Sequence, residues 1–148
     1  VATVEEGVEL RRAGIRVPVL VLGGVDPPQA EEAHAHALSA VLFDRAQARY
    51  LARAAEKAGR PFPIHVKVDT GMGRLGILPK EAPALLAELS GRRELRLEGW
   101  MTHLSSADGA GNAVRSMPFG ITWTRSGGTP AAASVARINT AGSRAKFT

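Results

Sequence analysis

The chain has 148 residues, enough for one ordinary domain with its own core, and a formal net charge of +5. It has no run of the roughly 20 apolar residues that span a bilayer and no signal-peptide pattern, so we expect no membrane partner and a cytoplasmic location. Because cysteine is absent, disulfides and thiolate metal sites are excluded, which fits a reducing compartment.

The positive charge is spread along the chain rather than gathered in one dense basic run. Aromatic residues make up only 5% of the sequence, and most arginines fall among acidic neighbours on predicted helix surfaces. Proteins that bind nucleic acid without sequence preference combine basic grooves with aromatic stacking platforms. The pattern therefore disfavours nucleic acid as a partner. A basic anion- or nucleic-acid-binding domain remains an alternative of another class, which salt-sensitive binding to heparin or duplex DNA would favour.

Amphipathic helices and continuous apolar runs alternate in the first half of the chain. Thr3 and Glu6 have the spacing of a capping box, which predicts a helix that Gly14 can close. Continuous apolar runs are typical of strands covered on both faces, as in parallel sheets. The predicted elements are, in order, a helix over 4–13, a strand over 17–22, a helix from 26 to about 38, a strand over 39–43 and a helix capped by Asp44 that ends at Gly59.

The same alternation continues as far as residue 103. The sequence predicts a strand over 64–68, a helix opened by Pro79 and a strand over 95–101, while a further strand candidate lies at 131–138. The Pro79 helix has an apolar stripe at helical spacing, formed by Ala82, Leu85, Leu86 and Leu89. Repeated strand–helix alternation implies right-handed crossovers and a parallel sheet. By itself this pattern suits a β/α barrel and an open doubly wound sheet equally well.

Two basic residues lie close to the end of the strand over 64–68. Strand side chains alternate between faces, so Lys67 is expected on the face opposite Val66 and Val68. A glycine-containing loop follows, in which Asp69 is expected to bond to the backbone, and Arg74 comes next. Burying two cations without partners costs several kcal/mol, so something anionic is expected between or beside Lys67 and Arg74.

Several segments of the chain together resemble the alanine racemase family. The matching segments are His65–Gly76, Val1–Gly7 with Leu10-Arg11 and Ala13–Ile15, Val19–Gly24, and Gly99–Leu104. The resemblance implies an α/β fold, a partial (β/α)8 TIM-type barrel with parallel strands that binds pyridoxal 5'-phosphate (PLP). It implies that residues 1–148 are part of the N-terminal barrel domain, with about 1–108 well matched and 109–148 divergent.

The resemblance also implies the residues of the site. Lys67, as a possible carbamylated lysine, Arg74 and His103 are the expected catalytic residues. By the same resemblance, Arg74 would donate to the phenolic oxygen of PLP and His103 would belong to the hydrogen-bond network around its ring. Asn139 and Thr140 fall in the segment that would contact the cofactor phosphate.

The family's activity is the interconversion of L- and D-alanine, which supplies D-alanine for peptidoglycan, by a homodimer. The family's PLP-anchoring lysine and catalytic tyrosine fall outside the chain, so we expect an internal fragment that is inactive alone and, with open sheet edges, poorly soluble. Alternatives are another PLP barrel protein: a broad-specificity amino-acid racemase, a decarboxylase or a non-catalytic PLP-binding protein. No metal site is predicted, since His34 and His36 lie two apart on a helix and face different ways.

Overall fold

The computed structural model describes residues 1–103 and the backbone of residues 135–136. One five-stranded sheet has its strands in sequence order: β1 Leu20–Val21, β2 Ser39–Leu42, β3 Phe62–Lys67, β4 Leu95–Met101 and β5 Val135–Ala136. The helices are α1 Val4–Arg12, α2 Ala30–Ala35, α3 Arg45–Ala58 and α4 Ala82–Ser90. Short 3-10 turns precede α2 and α4, at Pro27–Gln29 and Pro79–Glu81.

Strands β1 to β4 are parallel, and each is joined to the next by a segment that contains a helix. The predicted parallel α/β sheet is therefore confirmed for these four strands. The register between β3 and β4 shifts by one residue after Ile64, so that Ile64 pairs with Leu97 and His65 with Gly99. Lys67 consequently lies beside Met101, and the carboxyl ends of β3 and β4 meet at one edge of the sheet.

The core lies between the sheet and the helices. All four residues of β2 are buried, and Ile64, Val66 and Val68 are at most 2% exposed, as their alternation predicts. In α4 the predicted apolar stripe is buried at Leu85, but Leu86 is 42% exposed, so its inclusion in the buried stripe is wrong. Within the described residues, no helix is both long enough and apolar enough to cross a membrane.

Helix α3 follows its sequence signals closely. Asp44 accepts the backbone N–H of Gln47 at 2.9 Å, and the Gln47 side chain bonds back to the backbone N–H of Asp44, which completes a capping box. Gly59 ends the helix with a φ of 67°, a left-handed conformation that glycine adopts without a Cβ penalty. The helix predicted between Asp44 and Gly59 is confirmed at both ends.

Three predicted elements differ from the structure. Strand β1 covers only Leu20–Val21 instead of 17–22, because Pro18 has no N–H and the Val17 carbonyl accepts from Arg11 instead of a strand neighbour. Helix α2 stops at Ala35, about three residues early. Strand β5 pairs antiparallel with β4, which corrects the expectation of parallel strands only, because an apolar run carries no information about strand direction.

Candidate functional site

A glycine-rich loop returns from the end of β3 to its own sheet edge. The backbone N–H of Asp69 donates to the Ile77 carbonyl, and the Ile77 N–H donates to the Lys67 carbonyl, both at 2.9 Å. Inside this loop the Asp69 carboxylate accepts the N–H groups of Gly71 at 2.9 Å and Gly73 at 3.1 Å. These bonds lower the pKa of the Asp69 carboxyl, and they confirm that Asp69 fixes the loop.

Gly76 is the position at which this loop requires glycine. Its φ is 138°, and a Cβ added there would lie 2.5 Å from the backbone nitrogen of Asp69. The loop therefore closes onto β3 by direct backbone contact, which only a residue without a side chain permits.

Lys67 is the buried cation at the carboxyl end of β3. It is 6% exposed, and its ammonium has no hydrogen-bond acceptor among the described residues. Burial lowers the pKa of Lys67, and the positive charge of Arg74 lowers it further, while Asp69 opposes the shift. The described part of the site thus holds a lysine that loses its proton more readily than a free lysine does.

The other expected site residues have different surroundings. Arg74 is exposed in the loop, so Lys67 is the only member of the expected pair of buried cations that is in fact buried. His103 is exposed and follows the end of β4 by two residues, on the edge where β3 also ends. Asn139 and Thr140 lie outside the described residues.

Two polar residues near this edge were not singled out from the sequence. His65 lies on the Lys67 face of β3 and its Nδ1 is buried without a partner, as is Nε1 of Trp100 among the described residues. A Cβ at Gly99 would come within 2.9 Å of the His65 ring, so the missing side chain of Gly99 makes room for it. Burial lowers the pKa of His65. Strand alternation already put His65 beside Lys67, whereas no pattern distinguished Trp100.

Comparison with known protein families identifies the family of this chain. The sequence model of the family "Alanine racemase, N-terminal domain" matches residues 1–118. The chain belongs to this family. An alanine racemase from Symbiobacterium thermophilum is 48% identical over 112 residues, which are 76% of this chain and 30% of that protein. The chain thus spans about 30% of the length of this relative.

Solved structures of racemases have the same fold. The alanine racemase of Clostridium difficile 630 matches with a TM-score of 0.70 and 32% identity, over 73% of this chain and 29% of that one. A histidine racemase from Leuconostoc mesenteroides matches with a TM-score of 0.65 and 26% identity, over 70% of this chain and 28% of that one. The parallel α/β sheet is therefore part of the N-terminal barrel domain of the alanine racemase family.

Proposed function

We propose that this chain is part of an enzyme that interconverts L- and D-alanine with pyridoxal phosphate. The observation that carries the proposal is the buried Lys67, without an anionic partner in the described residues, at the barrel edge beside Arg74. Active sites of β/α barrels lie at the carboxyl ends of the strands, which is where these two residues are. The match of residues 1–118 to the racemase family supports the choice of reaction.

The described residues fit an anionic cofactor. Lys67 and Arg74 bring two positive charges to one strand end, and the nearby Asp69 carboxylate already accepts two loop N–H groups. A negative charge placed between the two cations would relieve their repulsion and the cost of burying Lys67. When bound, pyridoxal phosphate supplies an electron sink for the substrate carbanion.

The Lys67 side chain could itself become negatively charged by reacting with CO2, and this reaction is part of the proposal. Its lowered pKa raises the fraction of neutral amine, and it is the neutral nitrogen that would attack the carbon of CO2. A C–N bond forms, one N–H proton leaves to solvent, and a carbamate with one negative charge results. This carbamate would accept hydrogen bonds from the guanidinium of Arg74, which would hold the arginine in place.

The remaining residues complete the proposed site. Arg74 would donate to the phenolic oxygen of the cofactor, His103 would hydrogen-bond around its ring, and Asn139 and Thr140 would bind its phosphate. Association into a homodimer, a cytoplasmic location and a role in supplying D-alanine for peptidoglycan belong to the same proposal. Each is an expectation carried over from the family resemblance, and the present chain alone is expected to make no D-alanine.

A chimera tests whether these residues support racemisation. The segment of the Symbiobacterium thermophilum enzyme that matches this chain is replaced by this chain's own sequence, and D-alanine formed from L-alanine is measured with pyridoxal phosphate present. We expect turnover within about tenfold of the parent enzyme. A chimera that folds, shows the cofactor absorbance band and forms no D-alanine would contradict the proposal.

Variants of Lys67 in the same chimera test the proposed carbamate. Lys67→Ala should lower kcat, and added short-chain carboxylic acids should restore part of it, because they can supply the missing negative charge. Lys80→Ala, which removes an exposed lysine beyond the loop, is the matched control and should change kcat less than twofold. Equal effects of the two substitutions would contradict a specific role for Lys67.

A related racemase of another amino acid is the second candidate. The structural likeness to a histidine racemase at 26% identity shows that the same fold occurs with a different named substrate. Assaying the chimera with L-histidine beside L-alanine separates the two: a higher kcat/KM for alanine supports the first proposal, and a higher value for histidine supports the second.

A further inference from the structure

Arginines from separate parts of the chain meet at the opposite end of the sheet. The amino ends of the strands open into a cavity of about 640 Å³. The charged residues in the described part of its lining are Arg11, Arg12, Arg16, Arg60, Arg96 and Glu98. A strand rises about 3.3 Å per residue, so Lys67 lies four residues, or roughly 13 Å, along β3 from Pro63 in the cavity lining. The cavity is thus distinct from the candidate racemase site.

Arg11 builds the rim of this cavity. Its guanidinium donates to four backbone carbonyls at 2.9–3.0 Å, those of Ile15, Val17, His36 and Ala37. These bonds tie the segment after α1 to the segment after α2, and they hold the Arg16 backbone in the same stretch of chain. The four hydrogen bonds from Arg11 therefore hold the rim of the cavity in a fixed conformation.

The neighbouring guanidiniums keep donors for a ligand. Among the described residues, Arg16 commits one N–H to the Arg11 carbonyl at 3.4 Å, Arg60 commits one to the His34 carbonyl, and Arg12 commits none. Each arginine has five N–H donors, so most of these remain available. Arg96 is different, because its Nε and Nη2 both bond to Glu98.

The charge of the cavity is strongly positive. Among the described lining residues, five guanidiniums face one carboxylate, which leaves four positive charges. The carboxyl ends of α1, α2 and α3 also lie here and each supplies at most about half a negative charge. At least about 2.5 positive charges of the described lining remain uncompensated.

We propose that this cavity binds a small molecule with several phosphate groups, such as an oligophosphate. Its volume lies within the roughly 300–1,000 Å³ of small-molecule sites. Guanidinium forks match phosphate oxygens in pairs, which favours phosphate over a carboxylate of lower charge. The lining among the described residues has no Phe, Tyr or Trp, and its one aromatic ring is that of His36, so we expect the cavity to recognise the phosphate chain rather than a base.

Calorimetric titration of the 148-residue chain with tripolyphosphate tests this proposal. We expect saturable binding, weakened at least fivefold by the double substitution Arg12→Gln/Arg16→Gln. The matched control is Arg49→Gln/Arg53→Gln, which removes two exposed arginines from α3, away from the cavity, and should change affinity less than twofold. Arg16→Lys, which keeps the charge but loses the fork, should give an intermediate loss.

Other outcomes would overturn the proposal. Absence of tripolyphosphate binding would do so, as would equal weakening by the two double substitutions, since that indicates a diffuse charge effect. Binding of duplex DNA more tightly than tripolyphosphate would point to a nucleic-acid surface instead. Circular dichroism of each variant confirms that the fold is kept. Because the test needs neither alanine nor pyridoxal phosphate, its result is independent of the proposed racemase activity.

Discussion

The hydroxyl oxygens of Thr70 and Thr102 lie 2.7 Å apart and join the loop after β3 to the end of β4. Thr102 is buried and donates its own proton to the Val68 carbonyl at 2.7 Å. A hydroxyl has one proton, so Thr70 is the donor to Thr102. A chain of two hydrogen bonds thus runs from the loop through Thr102 to the backbone of Val68, just after β3.

Replacing Thr102 by valine should therefore destabilise the sheet edge more than the same change at Thr70. Thr102→Val removes both hydrogen bonds and leaves a buried carbonyl without its side-chain donor, which costs about 1–3 kcal/mol. Thr70→Val removes one partly exposed bond and should cost about 0.5–1 kcal/mol. The free energy of unfolding in urea measures both, with Thr102→Ser as the control that keeps the hydroxyl. Equal losses for the two valine variants would contradict a contribution from the second bond, between Thr102 and the Val68 carbonyl.

Much of the fold was predictable because local signals and burial agree. The cap at Asp44 and the αL residue Gly59 fix α3, and the strand predicted over Leu95–Met101 matches β4 residue for residue. The ends of β1 were not predictable, because they depend on carbonyl bonds to Arg11, an interaction between side chain and backbone that periodicity does not encode. The direction of β5 was not predictable for a similar reason, since direction is set by tertiary pairing.

The candidate site also has features that were predictable from the sequence and features that were not. Alternation along β3 identified the face of Lys67, and the Asp-Thr-Gly sequence identified the loop that Asp69 fixes. The link between Thr70 and Thr102 joins residues 32 apart, and the arginine cavity joins residues from Arg11 to Arg96. Contacts over such separations form only when the sheet assembles, so a pattern within one segment could not reveal them.

Gly76→Ala should destabilise the loop beyond the cost of a left-handed backbone. The added Cβ would contact the backbone nitrogen of Asp69 at 2.5 Å, so the loop must move away from β3. Gly59→Ala is the control, because Gly59 also has a positive φ but has open space around the added Cβ. We expect about 1–2 kcal/mol for Gly59→Ala and a larger loss for Gly76→Ala, measured by thermal and urea unfolding. Similar losses at the two positions would contradict the close approach.

Lys67→Met should stabilise the chain in buffer free of CO2 and cofactor. The substitution keeps an unbranched side chain of similar length and removes the charge from a side chain whose burial disfavours the charged form. Because the folded-state pKa of Lys67 is lowered, the stability of the unsubstituted chain should rise with pH towards the ordinary pKa of 10.5. The Met variant should lack this part of the rise. Urea midpoints at pH 7 and pH 9.5 check both statements, and a destabilised Met variant would show that Lys67 has a stabilising partner.

Protonation of His34 should lower the free energy of unfolding at acidic pH. Its ring is 1% exposed, bonds through Nε2 to the Pro61 carbonyl at 3.2 Å and packs on Phe62. Burial lowers the pKa of His34 below 6.5, and the nearby Arg60 charge lowers it further. Between the folded and unfolded pKa values the unfolded chain binds more protons, so stability is full above about pH 6.5 and is lost as the pH falls.

The substitution His34→Gln keeps an N–H donor and removes the titration. The difference in unfolding free energy between the unsubstituted chain and this variant should shrink from pH 7.5 to pH 5, by at most about 1.4 kcal/mol per pH unit. Taking the difference cancels other titrating groups, including His65. His36→Gln, which removes a partly buried imidazole just after the same helix, is the matched substitution for comparison. A difference independent of pH would show that His34 does not titrate in this range.

The sheet edge at β1 should drive self-association of the isolated chain. Ile15, Val17 and Leu22 are 40%, 64% and 38% exposed, and they line an apolar groove beside a two-residue strand. Apolar edges of this kind pair with other chains, and a charge placed on them opposes the pairing. Val17→Lys should therefore shift sedimentation profiles towards monomer, whereas Leu86→Lys, a matched change at an exposed leucine on α4, should shift them less. A stronger effect at Leu86 would place the associating surface on the helix side of the sheet.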